Sequence, residues 1–550
     1  MAVVEETSLA SGKEDYTQDG TVDLKGRPIL RSNTGRWRAC SFIVGYEMIE
    51  RMAYYGIASN LVMYLTKKLH EGTVKSSNHV TNWVGTVWMM PAAGAYIADA
   101  YLGRYWTFVI ASVIYFLLIN VIILAGTGGT KPNISTMGAD QFDEFEPKER
   151  SQKLSFYNWW VFNILIGTIS AQTLLVYIQD RVGFGLGYGI PTIGLALSIL
   201  VFLLGTPLYR HRLPSGSPLT RMVQVLVAAM RKWKIKVPDN LNELHEMSME
   251  ENYASKGRSR ICQTSPWMLC TVTQVEETKK MMKMIPILIT TCIPSTTIAQ
   301  TSTLFIRQGT TLDRSMGPHF EIPPACLIAF VNIFMLISVV IYDRLFVPTI
   351  RRYTNNPRGI SLLQRLGIGL MLHVVIMLTA CLVERKRLSV AKENNLLDQK
   401  DTIPLTIFIL LPQFAVTGIA DTFVDVAKLE FFYDQAPEAM KSLGTSYFTT
   451  TLSIGSFLST FLLSTVDDLT HRHGHKSWIL DNLNVSRLDY YYAFLATLSA
   501  INFLCFVVVA KLYVYNDDVK QTKMHLDMNP ASSKGKAGIR QSTLQPDAKS

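Results

Sequence analysis

"GYEMIERMAYYG", residues 45–56, places two acids and a base inside a stretch that is otherwise apolar. From Arg38 to Leu65 the chain around it reads as one helix of membrane length. In a helix, positions 47, 50 and 51 stand at i, i+3 and i+4, so Glu47, Glu50 and Arg51 share a face. A charge at bilayer depth costs roughly 3 kcal/mol on insertion scales, and such groups face a bundle interior or a water-filled cavity. A static ion pair that fixes helix packing is the plain alternative. One base for two acids argues against it: Glu47 pairs with Arg51 along the helix, and Glu50 is left for another partner or a proton.

Composition carries the reading outward. Of 550 residues, 48% are hydrophobic and 17% charged, with a mean hydropathy of +0.19. Eleven apolar windows of membrane length recur, near 39–65, 80–100, 106–125, 154–177, 186–206, 283–305, 322–345, 360–383, 403–427, 444–466 and 490–514. The fold class is therefore an all-α polytopic membrane protein. The first 35 residues are polar, without the apolar core of a secretory signal, so the first span is expected to direct insertion. The residues after 515 have the composition of a disordered cytosolic tail.

The net charge of +10 is mostly topology, not a nucleic-acid site. Lys25, Arg27, Arg31, Arg36 and Arg38, the 207–280 segment, Arg351, Arg352, Arg358 and Arg365 cluster as the positive-inside rule requires of cytosolic flanks. Arg385, Lys386 and Arg387 do not fit, because helix parity puts them outside. The seven cysteines are scattered without zinc spacing, so no metal is expected. His471, His473 and His475 read as a solvated outer loop, and Asn484-Val-Ser486 as a glycosylation triplet in the same loop. "GTGG" (126–129) lacks phosphate-loop spacing, and no enzyme reading survives.

The chain divides into a cytosolic N-terminal segment (1–37), a helical bundle (38–206), a cytosolic linker (207–280), a second bundle (281–515) and the tail (516–550). Within the linker, 218–235 has the pattern of an amphipathic helix lying on the cytosolic face. Two helical halves so joined point to the major-facilitator fold, two six-helix bundles around a midplane cavity. The first half shows five spans where parity needs an even number. Only 33 residues, Tyr105 to Met137, join two segments that should both be cytosolic, whereas two crossings need about 40 residues. Two short tilted helices, a missing crossing or a re-entrant segment at "GTGGTKPNIS" would each account for this.

The signature, Glu47-Met48-Ile49-Glu50-Arg51 followed by Tyr54-Tyr55-Gly56, resembles the E-x-x-E-R motif of proton-dependent oligopeptide transporters. "DAYLGRYW" (99–106), "GTGGTKPNISTMGADQFDEFEPKER" (126–150), "QGTTLDR" (308–314), "IPPA" (322–325) and "LEFFYDQAPEAMKSLGTSY" (429–447) extend the resemblance over nearly the whole chain. Together they are similar to the plant nitrate and peptide transporter family, and within it to a peptide-transporter-3-like subgroup.

The resemblance implies roles. Glu47, Glu50 and Arg51 become the proton-coupling group, with Lys131 as the fourth-helix lysine that pairs with them; the plain reading of Lys131 is an interfacial, snorkelling lysine. Tyr54 and Tyr55 resemble cavity tyrosines, and Asp421 the acid that holds a peptide's amino terminus. Asp425 continues that face, or makes a structural pair with Lys428. Asp99 and Arg104 bracket a cytosolic turn, with Asp140 and Asp143 as acceptors for Arg104; these four read as gate and scaffold residues.

The implied activity is proton-coupled symport of di- and tripeptides by alternating access in the plasma or vacuolar membrane, with the proton as coupling ion and no other cofactor. The expected partners are a small-molecule substrate and the lipid bilayer. Nitrate or another small anion on the same scaffold is the alternative, and a non-transporting receptor or truncated isoform a further one. Ile298 stands where nitrate carriers have a histidine, and Ala58 where animal and bacterial peptide carriers have an arginine. The chain also looks shortened after "DAYLGRYWTFVIASVIYFL" and, less so, near 260–265.

Overall fold

The computed structural model describes residues 16–118, 134, 136–143, 145–212, 216–234, 267–354, 359–397, 402–437, 440–472 and 477–514. Lys131, residues 119–133 and 135 of the 105–137 join with its re-entrant alternative, His473, His475, Cys262 and the tail lie outside them.

In the first half, α1 (Arg36–Ala58) is followed by α2 (Thr73–Ile97), α3 (Gly103–Leu118), α4 (Pro147–Ser170) and α5 (Phe184–Leu204). The predicted amphipathic helix is α6 (Pro218–Arg231). The second half comprises α7 (Val272–Lys283), α8 (Ile328–Ile341), α9 (Leu362–Glu393), α10 (Leu411–Gln435), α11 (Lys441–His471) and α12 (Leu488–Leu512). Where they are described, ten of the apolar windows predicted from sequence overlap one of these helices, and 283–305 falls on the helical pieces that follow α7. Eight helices among the described residues are long and apolar enough to cross a membrane. Helices α1 and α2 are as long but more polar, because they line the cavity.

Local sequence sets the helix ends. Thr271 and Gln274 form a capping box at the start of α7, and Ser361 and Gln364 another at α9. After α7 the chain continues to Gly309 as short helical pieces, Ile285–Thr290, Cys292–Ile298 and Leu304–Gly309. Its breaks face the interior, where irregular backbone is tolerated in a membrane protein. This span begins at Val272, inside the segment read as linker.

Helix α1 packs on α4 and α5, while α9 packs on α10 and α12. Gly167 makes the first of these contacts close: a Cβ there would lie 2.4 Å from the Met48 carbonyl. The two bundles meet chiefly along α2 and α11. At the outer ends of these helices Thr81 and Thr460 hydroxyls are 2.6 Å apart, Asn78 donates to Ser464 at 2.8 Å, and the Thr73 amide donates to Asp481 at 2.6 Å. Arg181 adds an ion pair to Glu321 at 2.8 Å.

Two sequence expectations change here. Arg387 is no loop charge: it is fully buried against Glu384, 2.7 Å away, and donates to the Asn484 side chain and the Leu483 carbonyl. Its burial takes away one of the three charges that break the positive-inside pattern, while Arg385 and Lys386 are exposed and still do not fit it. Asn484 is only 3% exposed and donates to the Leu396 carbonyl at 3.0 Å. An amide so engaged is no glycosylation acceptor, and the triplet is a packing element.

Candidate functional site

A cavity of about 860 Å³ runs between the bundles from Glu47, Arg51 and Tyr55 down to Asp99, Arg104, Glu430 and Ser442 at the basic-loop ends of the helices, the cytosolic side by the positive-inside rule. A second space of about 610 Å³ shares Tyr55, Trp88 and Phe448 with it and continues outward past Tyr54, Asp421 and Asp425. With the outer ends tied together, the arrangement is inward-facing.

The signature side chains lie where α1 turns its polar face to this space. Arg51 Nε donates to Glu47 at 2.6 Å, the i,i+4 pair that the spacing predicts. Glu50 Oε2 is 3.2 Å from the same nitrogen, and both Glu50 oxygens are buried without a hydrogen bond. Glu50 is thus the carboxylate left over. Tyr54 is buried in a stack on Trp83, and Tyr55 packs edge-on against it with centroids 5.0 Å apart.

Across the cavity, α10 brings Asp421 and Asp425 to one wall, as their i,i+4 spacing requires. Asp421 Oδ1 is buried and unpartnered. Asp425 Oδ1 lies 2.9 Å from the Lys428 ammonium, so that pair forms, but without hydrogen-bond alignment. Tyr55 of the first bundle is close enough to Asp425 to feel its charge. Tyr54 and Tyr55 of the first bundle thus line the same space as Asp421 and Asp425 of the second.

At the cytosolic end Gly103, at φ 74°, turns the chain between Asp99 and Arg104. Asp99 accepts from the Ser442 hydroxyl of the other bundle, and its carbonyl accepts from the Gly216 amide at 3.1 Å. Arg104 donates to Asp140. Asp143 does not take part, contrary to expectation: Arg31 reaches it at 3.0 Å, and the Gln18 and Phe145 amides donate to it. Residues 140–143 turn, so the two acids point to different neighbours. Burial pushes the Asp143 carboxyl up, but those amides and Arg31 outweigh it and hold it below the usual range.

Sequence reading passed over the rest of this layer. Arg210, fully buried, binds Glu149 at 2.7 Å, and Arg36 reaches the other Glu149 oxygen at 2.7 Å. Burial raises the Glu149 carboxyl, yet the bonds from Arg210, the Asp143 amide and Arg36 bring it below its ordinary value. Also missed were Gln172 and Asn332, 2.7 Å apart across the bundles at the cavity wall. A lone amide on a π turn, Ala171–Leu175, was the available signal. Among the described residues no His, Cys, Asp and Glu cluster has metal-site geometry.

Two helical bundles closed on one side around a charged central cavity define a membrane transporter, not an enzyme. The family described as PTR2: POT family matches residues 89–479, and the chain belongs to it. It is 54% identical to Protein NRT1/PTR FAMILY 5.2 of Arabidopsis thaliana, over 92% of this chain and 96% of that one. It is 41% identical to Protein NRT1/PTR FAMILY 8.1 of the same plant, over 92% and 99%. The first alignment runs over 562 positions, more than this whole chain, although 92% of it is covered. That relative thus carries internal residues that this chain lacks.

Among solved structures, an auto-inhibited POT family peptide transporter superposes with a TM-score of 0.68 at 19% identity, covering 87% of this chain and 98% of that one. A POT family transporter in complex with a thioalcohol-conjugated peptide gives 0.62 at 15%, covering 90% and 99%. These share the fold.

Proposed function

We propose that the chain is a proton-coupled symporter of di- and tripeptides, working by alternating access of its two bundles in the plasma or vacuolar membrane. The supporting observation is the charge layout: Glu47 and Arg51 on one wall of the central cavity, with Glu50 buried beside Arg51, and Asp421 and Asp425 on the other wall. A zwitterion of peptide length meets a cation at one end and carboxylates at the other. The peptide complex of a structural neighbour is consistent with this reading.

Glu50 is the coupling acid in this scheme. Ionised, it adds a second negative charge beside Arg51; protonated, it leaves a balanced Glu47–Arg51 pair. The change in charge alters the hold of the signature on neighbouring cations, and Lys131 takes that part by family resemblance. The transmembrane potential adds about 2.3 kcal/mol per charge per 100 mV. Reopening outward breaks the ties at Thr73, Asn78, Thr81 and Arg181, while Asp99 and Arg104, with Asp140 and Asp143 in the scaffold behind them, form the cytosolic gate.

Nitrate is the second reading, because the motifs resemble a plant family of nitrate and peptide transporters. The cavity disfavours it: Arg51 already lies between two carboxylates, and Ile298 presents an apolar side chain to the substrate space. Uptake of a labelled dipeptide and of labelled nitrate into proteoliposomes, with and without an inward proton gradient, tests the proposal. Gradient-driven dipeptide accumulation is expected. Accumulation of nitrate alone, or binding without uptake, refutes it.

A further inference from the structure

The second bundle holds an imidazole that this coupling scheme does not use. His373 of α9 is 1% exposed. Its Nδ1 lies 2.9 Å from the Gly369 carbonyl, a contact that requires the proton on Nδ1, since two acceptors cannot share it. Nε2 then carries a bare lone pair, and it is buried without a partner. An unmet buried acceptor costs about 1–3 kcal/mol, which an apolar side chain would avoid.

The unmet donor lies on the facing helix. Lys428 is fully buried, and its ammonium makes no hydrogen bond despite its 2.9 Å approach to Asp425. Helices α9 and α10 run antiparallel and nearly touch: a Cβ on Gly369 would lie 2.4 Å from Val424 Cγ2. Side chains of a helix lean toward its N-terminus. His373 therefore leans toward the level of Gly369, and Lys428, from the opposite direction, toward that of Val424. Both Asp425 and Lys428 act electrostatically on the imidazole. Other helices add few charges here. Helix α11 offers the Phe448 ring, 5.0 Å from the ammonium, and the Cys292 thiol after α7 is engaged with the Leu288 carbonyl at 3.3 Å. Arg365 of α9 is turned away to the Thr422 carbonyl.

We propose that His373 is a positioning residue for substrate: its Nε2 lone pair accepts Lys428 when the ammonium of the cargo displaces that lysine from Asp425. The inference rests on the peptide reading above. Before cargo binds, Lys428 partly neutralises Asp425. When the ammonium arrives at Asp421 and Asp425, the lysine moves to an acceptor already buried and oriented, so the exchange leaves no cation stranded. The charges then close: two carboxylates face two ammonium groups.

The test is dipeptide binding to the purified full-length protein, with an N-acetylated dipeptide as the probe that brings no ammonium. His373→Leu should weaken dipeptide binding about tenfold, equivalent to about 1.4 kcal/mol, and leave the N-acetylated probe unchanged. His373→Gln, which keeps an acceptor, should restore most of the loss. Lys428→Met should bind the dipeptide more tightly, having no lysine to displace, and serves if the leucine variant does not fold. Equal dipeptide affinity in wild type and His373→Leu, equal loss in the Leu and Gln variants, or weaker binding by Lys428→Met overturns the inference. If the wild type binds no dipeptide, the peptide reading itself fails.

Discussion

Glu50 stands 3.2 Å from Arg51 Nε and receives no hydrogen bond from it, because Glu47 holds the same N–H at 2.6 Å. The guanidinium is thus committed along the helix, and the second carboxylate is buried without a compensating donor.

Glu50→Gln keeps the shape and removes the titration. Gradient-driven accumulation of dipeptide should fall to the level of passive equilibration, while counterflow exchange persists. Concentrative uptake by this variant at the wild-type level would show that the coupling acid lies elsewhere.

The amide pair Gln172–Asn332 links the bundles at the cavity wall. Gln172→Leu removes one net hydrogen bond of about 1 kcal/mol from the inward-facing state. The outward-facing population should rise about fivefold, read as faster labelling of a cysteine introduced at the outer end of α2. No change in labelling would mean that the bond exists in both states.

Arg210→Met takes one guanidinium from Glu149, which is 1% exposed and keeps Arg36 and the Asp143 amide. Losing a hydrogen bond between charged groups costs about 1.5–3 kcal/mol, so the melting temperature should drop. The same pair gives a pH dependence. The folded-state pKa of Glu149 is lowered from 4.5, and that of Asp143 from 3.8. Their contributions are therefore complete above those ordinary values and fade as pH falls through the lowered ones. Melting in acid should show the wild type losing stability below about pH 4.5 and the Arg210→Met variant losing less.

Gly167→Val drives a side chain into the Met48 carbonyl, which a Cβ would approach to 2.4 Å. Overpacking of this kind typically costs about 1–3 kcal/mol, and here it moves the signature helix as well. Transport should fall more than the loss of folded protein explains, measured as uptake per folded molecule.

Asn484→Gln should leave the electrophoretic mobility of the expressed protein unchanged, because the amide is buried and engaged. The variant should still be destabilised by about 1–3 kcal/mol, since Arg387 loses a partner inside the bundle. A mobility shift would show that the loop opens before it packs.

Most spans, the amphipathic helix of the linker and the charged faces of α1 and α10 are legible in the letters alone, because hydrophobic length and helical period are local properties of the chain. Positions 47 and 51, or 421 and 425, share a face whatever surrounds them. Only the tertiary structure decided which charges meet between helices. Asp143 answers to Arg31 over a separation of 112 residues, Gln172 to Asn332 over 160, and Arg387 disappears into the second bundle. Those contacts depend on how helices pack and how far each side chain leans, which no spacing within one helix encodes. The same cause hid His373: in an apolar run its letter looks like filler, and only the packing around α9 shows that its Nε2 is buried without a hydrogen bond.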